Sequence, residues 1–132
     1  MRIIMLALEG KKHKDLIIMI MALGDAYLEK GLYKDAAKRY HQLLDFKVAN
    51  GKIFTNLSKA YIGLKRVDKF AQYVYQKAIQ YDPSNTEIYD ILTTTFLHEG
   101  RKDPRAIEIY ELALKYDPPN FDKIVDHLGA IY

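Results

Sequence analysis

The sequence predicts an all-α protein in which antiparallel helix pairs stack one on another, and three observations support this. Residues 71–85 and residues 106–120 share seven identical positions at a spacing of 35. Apolar residues within and between these segments recur at the three- and four-residue spacing of a helix. No segment alternates apolar and polar residues over the length of a strand. A repeating unit of two helices is therefore expected.

The composition is that of a globular protein with one domain. The chain has 132 residues, of which 49% are hydrophobic and 28% charged, enough to form a packed core. It has no cysteine, which excludes disulfides, cysteine-bound zinc and thiol nucleophiles. The formal charge of +3 is too small to indicate a nucleic-acid-binding protein by itself. We identify no targeting segment and no membrane span, and a cytoplasmic location is the default expectation.

The first helix of each pair is marked by a leucine, a small residue and an aromatic residue. This pattern is L-G-x-x-Y at Leu23, and it returns at Leu57, Leu92 and Leu128. The intervals of 34, 35 and 36 residues match the repeat found above. Because each pattern lies on a stretch with helical apolar spacing, we expect a helix at each position.

The second helix of each pair is marked by A-x-x-x-Y, which begins at Ala36, Ala71 and Ala106. Alanine in these helices and Gly24 in the first would let the two helices of a pair approach closely. Tyr27 and Tyr40 would fill the space beside them. The tyrosines at these recurring positions are therefore expected in the core.

The expected helix ends carry residues suited to them. Gly31 and Gly100 follow first helices and predict left-handed C-terminal turns. Asp103-Pro104 predicts an N-cap followed by proline in the first turn. Ser84-x-x-Glu87 predicts a capping box at the start of the next first helix.

The combined pattern resembles the tetratricopeptide repeat, whose consensus joins L-G-x-x-Y to A-x-x-x-F/Y-x-x-A and a closing proline. The resemblance implies a right-handed superhelical solenoid of antiparallel helix pairs. Its repeats would cover about residues 16–50, 51–85 and 86–120, with the first helix of a fourth at 121–132. Residues 1–15 would be the tail of a preceding helix, suggested by M-L-A-L-E at residues 5–9, or an N-terminal extension.

The C-terminal segment I-V-D-H-L-G-A-I-Y is apolar, whereas arrays of this kind usually end in a polar capping helix. We therefore expect either a piece of a longer protein or self-association through exposed terminal helices.

The sequence shows no grouping of residues suited to catalysis. His13, His41, His98 and His127 are scattered and make no metal-binding pair. The segment around Asn50-Gly51-Lys52 lacks the upstream glycine and following Ser or Thr of a phosphate-binding loop. We therefore predict that the protein is not an enzyme and uses no cofactor or metal.

The resemblance also implies a concave groove, lined by the first helices, that binds a peptide or a partner helix. The residues expected to line it are Met21, Asp25, Leu28, Lys52, Thr55, Asn56, Lys59, Asp90, Thr94, Leu97 and His98. Chaperone adaptors of this family hold a C-terminal carboxylate with lysine, asparagine and arginine at five positions. Those positions are here Met21, Asp25, Asn56, Glu87 and Ile91. Only Asn56 matches, so we do not expect binding of a chaperone tail.

Charge is distributed unevenly along the repeats. Residues 51–85 contain six basic and two acidic residues, and residues 86–120 four and seven. Lys52 and Lys59 would share one helical face, which suggests a basic patch flanked by acids. The leading hypothesis is a non-catalytic protein-interaction module for a protein or peptide partner.

Two alternatives remain open from the sequence. The period of 35 is also typical of pentatricopeptide repeats, which bind RNA, and R-A-I-E-I-Y-E-L-A-L resembles half-a-TPR repeats of RNA-processing scaffolds. The equivalent groove positions Asp25, Lys59 and Thr94 do not form a continuous basic face, so nucleic acid is disfavoured. The second alternative is a structural spacer or self-assembly segment.

Overall fold

A computed structural model describes the backbone of residues 2–132 and the side chains from residue 10 onward. Over that range the chain forms seven α-helices and no strand. They are α1 (Arg2–Glu29), α2 (Tyr33–Asp45), α3 (Gly51–Gly63), α4 (Lys69–Tyr81), α5 (Thr86–Glu99), α6 (Pro104–Leu114) and α7 (Phe121–Ile131). The predicted all-α architecture is confirmed.

The helices pack as three pairs, α1/α2, α3/α4 and α5/α6, followed by α7. Each second helix also packs on the first helix of the next pair. In addition, α1, α3, α5 and α7 are neighbours in that order. These four helices form what we call the first-helix face, and the outer surface of α2, α4 and α6 is the second-helix face.

The repeating residues form the core between these helices. Ala36, Ala71 and Ala106 are fully buried, as are the tyrosines four positions after them. Leu57 and Leu92 are also fully buried, whereas Leu23 at the equivalent position is 37% exposed. The difference arises because α3 and α5 pack between helices on both sides, while α1 contacts only α2 and α3 among the described helices.

The close approach predicted for the first pair is present. A Cβ atom added to Gly24 would lie 2.9 Å from Cε1 of Tyr40. The equivalent positions in the next two pairs hold Ser58 and Thr93, both fully buried. Their hydroxyls donate to the carbonyls of Phe54 and Tyr89 in the preceding turn, so the polar atoms need no space outside the helix.

The turns inside the second and third pairs share an Arg-x-Asp motif that the sequence reading did not identify. Arg66 pairs with Asp68 at 2.9 Å, and Arg101 with Asp103 at 2.8 Å. Each guanidinium also lies 4.1 Å from the centroid of an aromatic ring, Tyr61 or Phe96. The motif thus fixes the turn against the core of its own pair.

The core tyrosines bind these turns from the other side. Tyr75 and Tyr110 donate their hydroxyl protons to the backbone carbonyls of Arg66 and Arg101. The first pair has Leu32, the residue after its left-handed Gly31, where the other two have arginine, and Tyr40 there donates to a different acceptor, described below.

The helix ends predicted from the sequence are confirmed in part. Gly31 and Gly100 have φ of 75° and 66°, as predicted for left-handed turns. Asp103 caps α6, where it accepts from the amide of Ala106, and Pro104 follows it.

The capping box predicted at Ser84 is wrong. Asn85 is the N-cap of α5, and its side chain accepts from the amide of Ile88. Ser84 instead donates from its amide and its hydroxyl to the carboxylate of Asp82, which removes it from the helix start. Asn120 precedes α7 but makes no capping bond; its side-chain NH2 group instead donates to Thr93 and Thr94 on α5.

α1 is longer than the first helices of the other pairs, since it runs without interruption from Arg2. Residues 11–15 read K-K-H-K-D and contain no proline, and the single Gly10 weakens a helix without ending it. In the structure residues 2–15 therefore extend α1; the side chains of the apolar run at residues 5–8 lie outside the described part. His13 meets Phe46, at the end of α2, edge-to-face at 5.4 Å.

No helix in the described range is both long and apolar enough to cross a membrane.

Candidate functional site

The residues predicted to line a groove all lie on first helices, three on α1, four on α3 and four on α5. None of them belongs to the buried core. Four are exposed, namely Lys52, Lys59, Thr94 and His98, and the other seven are half-buried. This distribution is that of a surface whose side chains are available to a partner and only partly used for packing.

The N-terminal part of the face is organised around the carboxylate of Asp25. The hydroxyl of Tyr40 donates to Oδ1 of Asp25 at 2.6 Å, and Nδ2 of Asn56 donates to the same oxygen at 3.2 Å. One acid on α1 thereby links α2 and α3. No described residue donates to the other carboxylate oxygen of Asp25.

Tyr40 is held as a neutral hydrogen-bond donor. Burial of its ring, and then the hydrogen bond to Asp25, raise the pKa of the Tyr40 phenol far above its ordinary value. The hydroxyl of Tyr40 therefore keeps its proton across the physiological range, and the Asp25 carboxylate stays hydrogen-bonded through it.

The middle of the face is basic. Lys52 and Lys59 on α3 are exposed, and neither forms an ion pair with a described residue. Between them, Thr55 donates its hydroxyl proton to the carbonyl of Gly51. The two ammonium groups are consequently exposed cations that no described carboxylate neutralises.

The C-terminal part of the face contains a cavity of about 320 Å³ between α5 and α7. Three predicted residues line it, Thr94, Leu97 and His98, together with Asn120 and Lys123. The side chain of Asn120 donates to the hydroxyls of Thr93 and Thr94 at 2.9 and 3.1 Å. Its carbonyl oxygen is buried and accepts no hydrogen bond from a described residue.

Sequence reasoning missed the contribution of α7 to this cavity. Lys123 occupies, in the fourth first helix, the repeat position that Lys52 and Glu87 occupy in the second and third. Extending the repeat register into residues 121–132 would have found it.

The remaining predicted residues, Met21, Leu28 and Asp90, are half-buried beside these three regions. The eleven residues thus do not converge on one centre; they are spread along α1, α3 and α5. Among the side chains from residue 10 onward, no three His, Asp or Glu residues are grouped so as to hold a metal ion.

Comparison with known proteins gives matches among solved structures. Neither a protein-family model nor a curated protein matches the chain. The first TPR domain of Spaghetti (RPAP3), solved bound to the HSP90 peptide SRMEEVD, is 25% identical, with a TM-score of 0.53 over 87% of this chain and 89% of that one.

Two human domains show the same fold. The first TPR domain of human RPAP3 is 24% identical, with a TM-score of 0.51 over 87% of this chain and 94% of that one. The second TPR domain of human RPAP3, solved with the HSP70 peptide SGPTIEEVD, is 22% identical, with a TM-score of 0.52 over 87% and 97%. The chain therefore has the tetratricopeptide-repeat fold, as three helix pairs and the first helix of a fourth.

Proposed function

We propose that this tetratricopeptide-repeat chain is a non-catalytic interaction module that binds a peptide or a partner helix along its first-helix face. The observation that carries the proposal is the contrast between the two sets of side chains on α1, α3 and α5. On α3 and α5 the repeating residues Leu57, Tyr61, Leu92 and Phe96 are buried. The predicted groove residues of the first helices are exposed or half-buried and differ from pair to pair. Packing does not require those differences, so we attribute them to recognition of a partner.

The solved neighbours support peptide binding as the mode of recognition. Two of the similar domains were solved with chaperone peptides that end in E-E-V-D. A peptide laid along a repeat array buries its side chains against successive first helices. We propose the same mode of binding for this chain.

The charges on the face disfavour an acidic C-terminal tail as the ligand. Asp25 already engages Asn56, the one asparagine that matches the carboxylate-binding pattern of the family. A terminal carboxylate near Asp25 would meet a like charge, which costs binding energy. We propose instead a ligand of mixed charge, with a basic group near Asp25 and an acidic group near Lys52 and Lys59.

Fluorescence anisotropy with labelled peptides tests this proposal. One peptide places a basic group to meet Asp25 and an acidic group to meet Lys52 and Lys59, a second has the reverse order of charges, and a third is S-R-M-E-E-V-D. We expect the mixed-charge peptide to bind more tightly than S-R-M-E-E-V-D. Lys52→Glu combined with Lys59→Glu should weaken the mixed-charge peptide roughly tenfold and leave the circular dichroism spectrum unchanged. Tighter binding of S-R-M-E-E-V-D would refute the proposed ligand class, and unchanged affinity of the double variant would refute the role of the lysines.

Self-association is a second candidate function because α7 presents an uncovered side. A Cβ atom added to Gly129 would meet nothing within 4 Å, although the equivalent Gly24 is in contact with Tyr40. Val125 on α7 is 42% exposed, and Tyr132, directly after the helix, is 79% exposed. We propose that a helix of a second copy packs there. Light scattering at increasing concentration should show a dimer that Val125→Asp abolishes; a monomer throughout would exclude it.

We do not expect the chain to bind nucleic acid. A retarded band with single-stranded RNA at physiological salt, lost in the Lys52→Glu, Lys59→Glu variant, would replace the peptide proposal by an RNA-binding one.

A further inference from the structure

A second recessed surface lies away from the first-helix face, where α2 meets the turn between α3 and α4. It is a cavity of about 350 Å³ whose lining includes Lys34, Ala37, Lys38, Leu64 and Arg66, and we call it the α2 cavity. His41 lies at its edge and also lines an adjoining cavity of about 310 Å³. Leu44 and Phe70 contribute apolar surface to that neighbour.

The next repeat has an equivalent cavity, and comparison of the two linings shows which residues differ in the α2 cavity. Six residues that line the α2 cavity, moved by 35 positions, give the lining of a cavity of about 450 Å³. The six equivalents are Lys69, Gln72, Tyr73, Gln76, Glu99 and Arg101.

Polar side chains in that second cavity bind one another. Gln72 donates to the carbonyl of Val67 and to the carboxylate of Glu99, at 2.9 and 3.0 Å. Arg105 donates to the side-chain oxygen of Gln76 at 3.0 Å. The polar side chains of the second cavity therefore form most of their hydrogen bonds within the protein.

The α2 cavity lacks this internal network. Ala37 and Leu64 replace the glutamine and the glutamate, so the lining becomes apolar where the other cavity is polar. Lys34 and Lys38 form no ion pair with any described residue. Asp35 is the one acid in the described lining of the α2 cavity, and Asp45 is the one acid in that of its neighbour. Lys34, Lys38 and Arg66 outnumber these two acids, which leaves a small basic excess.

Arg66 adds a cation whose position is fixed. Its guanidinium lies 4.1 Å from the centroid of the Tyr61 ring and donates through Nε and Nη2 to Asp68, both at 2.9 Å. A side chain held in this way loses little conformational freedom when it meets a ligand.

We propose that the α2 cavity and its neighbour form a second docking surface, which binds an acidic peptide segment with apolar side chains between its carboxylates. Charge complementarity selects the acidic class, because two unpaired lysines and an oriented arginine outnumber Asp35 and Asp45 around an apolar lining. Leu64 and Phe70 are 38% and 44% exposed, so apolar ligand side chains would cover surface that now faces water.

The dimensions suit a short segment. The lining positions on α2 run from Lys34 to Asp45, which at about 1.5 Å per residue is roughly 16 Å. An extended peptide covers that length with about five residues at about 3.3 Å each. Alternate side chains of such a peptide point the same way, so two apolar residues spaced by one would face the two cavities.

His41 supplies a readout specific to this surface. Its ring nitrogen contacts the hydroxyl of Tyr61, and its ring meets Phe70 edge-to-face. Burial and then the charge of Arg66 lower the pKa of His41, with Asp45 on its own helix acting in the opposite direction. Bound carboxylates would add negative charge beside the imidazole and raise that pKa, so ligand affinity should increase as the pH falls through the pKa of His41 in the complex.

The test uses the fluorescein-labelled peptide D-E-L-E-L-E with the unmodified chain. We expect saturable anisotropy that weakens at high salt and at higher pH, and shifts of backbone amide resonances in α2 and the α3–α4 turn. Lys34→Glu with Lys38→Glu should weaken binding about tenfold. The matched control is Lys102→Glu with Lys115→Glu, which makes the same change of charge at two exposed lysines outside both proposed surfaces and should leave the affinity unchanged.

A second variant keeps the test independent of net charge reversal. Ala37→Gln with Leu64→Glu introduces the residues of the equivalent cavity and should abolish binding, because polar groups replace the apolar lining. The variant should still fold, since Gln72 is accommodated at the equivalent position of the next repeat. Equal binding by both lysine pairs, resonance shifts confined to the first-helix face, or binding of anionic vesicles but not of the peptide would overturn the proposal. The mixed-charge peptide proposed for the first-helix face is tested separately, by the Lys52→Glu, Lys59→Glu variant, so the two proposals can fail independently.

Discussion

Gly24→Ala provides a sharp test of how the first pair packs, because Gly129 at the same repeat position serves as its control. Alanine in place of glycine within a helix stabilises it by roughly 0.5–1 kcal/mol. At Gly24 that gain is opposed by a contact at 2.9 Å with Cε1 and 3.1 Å with Cζ of Tyr40. Relief of such overpacking typically costs about 1–3 kcal/mol.

Tyr40 has little room to move away from the added methyl group. Its side chain is fully buried, and its hydroxyl is held by Asp25 at 2.6 Å. A shift of the ring would weaken that hydrogen bond as well, so we expect Gly24→Ala to destabilise the protein by about 1 kcal/mol net. Gly129→Ala meets nothing within 4 Å and should raise stability by a few tenths of a kcal/mol, since it lies near the end of α7.

Urea unfolding followed by circular dichroism measures both effects. For a domain of this size, about 1 kcal/mol moves the midpoint by roughly 0.5 M. The midpoint should fall for Gly24→Ala and rise slightly for Gly129→Ala. If both variants were stabilised to the same extent, the close approach of α1 and α2 would be refuted, and with it the role assigned to Gly24.

Three further predictions concern the turns and caps. Lys65, at the repeat position of Gly31 and Gly100, has φ of 57°, so Lys65→Gly should stabilise the protein by roughly 0.5–1 kcal/mol in urea unfolding; a loss of stability would contradict this. Asn85→Ala should lower the free energy of unfolding by about 1 kcal/mol, whereas Ser84→Ala should change it by less than about 0.5 kcal/mol. The reverse order of the two effects would indicate that Ser84 is the N-cap of α5. The hydrogen bond from Arg101 holds the pKa of the Asp103 carboxyl well below its usual range, so its stabilising effect is present above the ordinary carboxyl pKa and is lost as the pH falls through the folded value. Asp103→Asn, which keeps an N-cap, should therefore destabilise the protein at pH 7 and progressively less below pH 4; a pH-independent difference would argue against the charge.

The helix pairs and their core were predictable from the sequence because the same packing recurs. Alanine at positions 36, 71 and 106 and tyrosine four residues later are buried in every pair, and their spacing of 35 appears directly in the chain. Each such residue packs against helices that are themselves repeated. One pattern therefore specifies the environment of all its copies.

Contacts that depend on non-repeating side chains could not be predicted in this way. Ser84 and Asn85 are both good caps, and the competing hydrogen bond of Ser84 to Asp82 decides between them. Tyr40 is identical in type to Tyr75, yet it donates to Asp25, because the first pair has this acidic acceptor where the second pair has Lys59.

By itself the sequence determined the all-α class, the two-helix repeat, the residues that form the core and the face on which variable residues lie. The tertiary structure alone decided that Asp25 and Asn56, 31 positions apart, share a hydrogen bond, and that Lys34, Lys38 and Arg66 surround one cavity. The physical reason is that local spacing determines which side of a helix a residue occupies. Which side chains then meet depends on how separate helices dock, and that is determined by all their packed residues together.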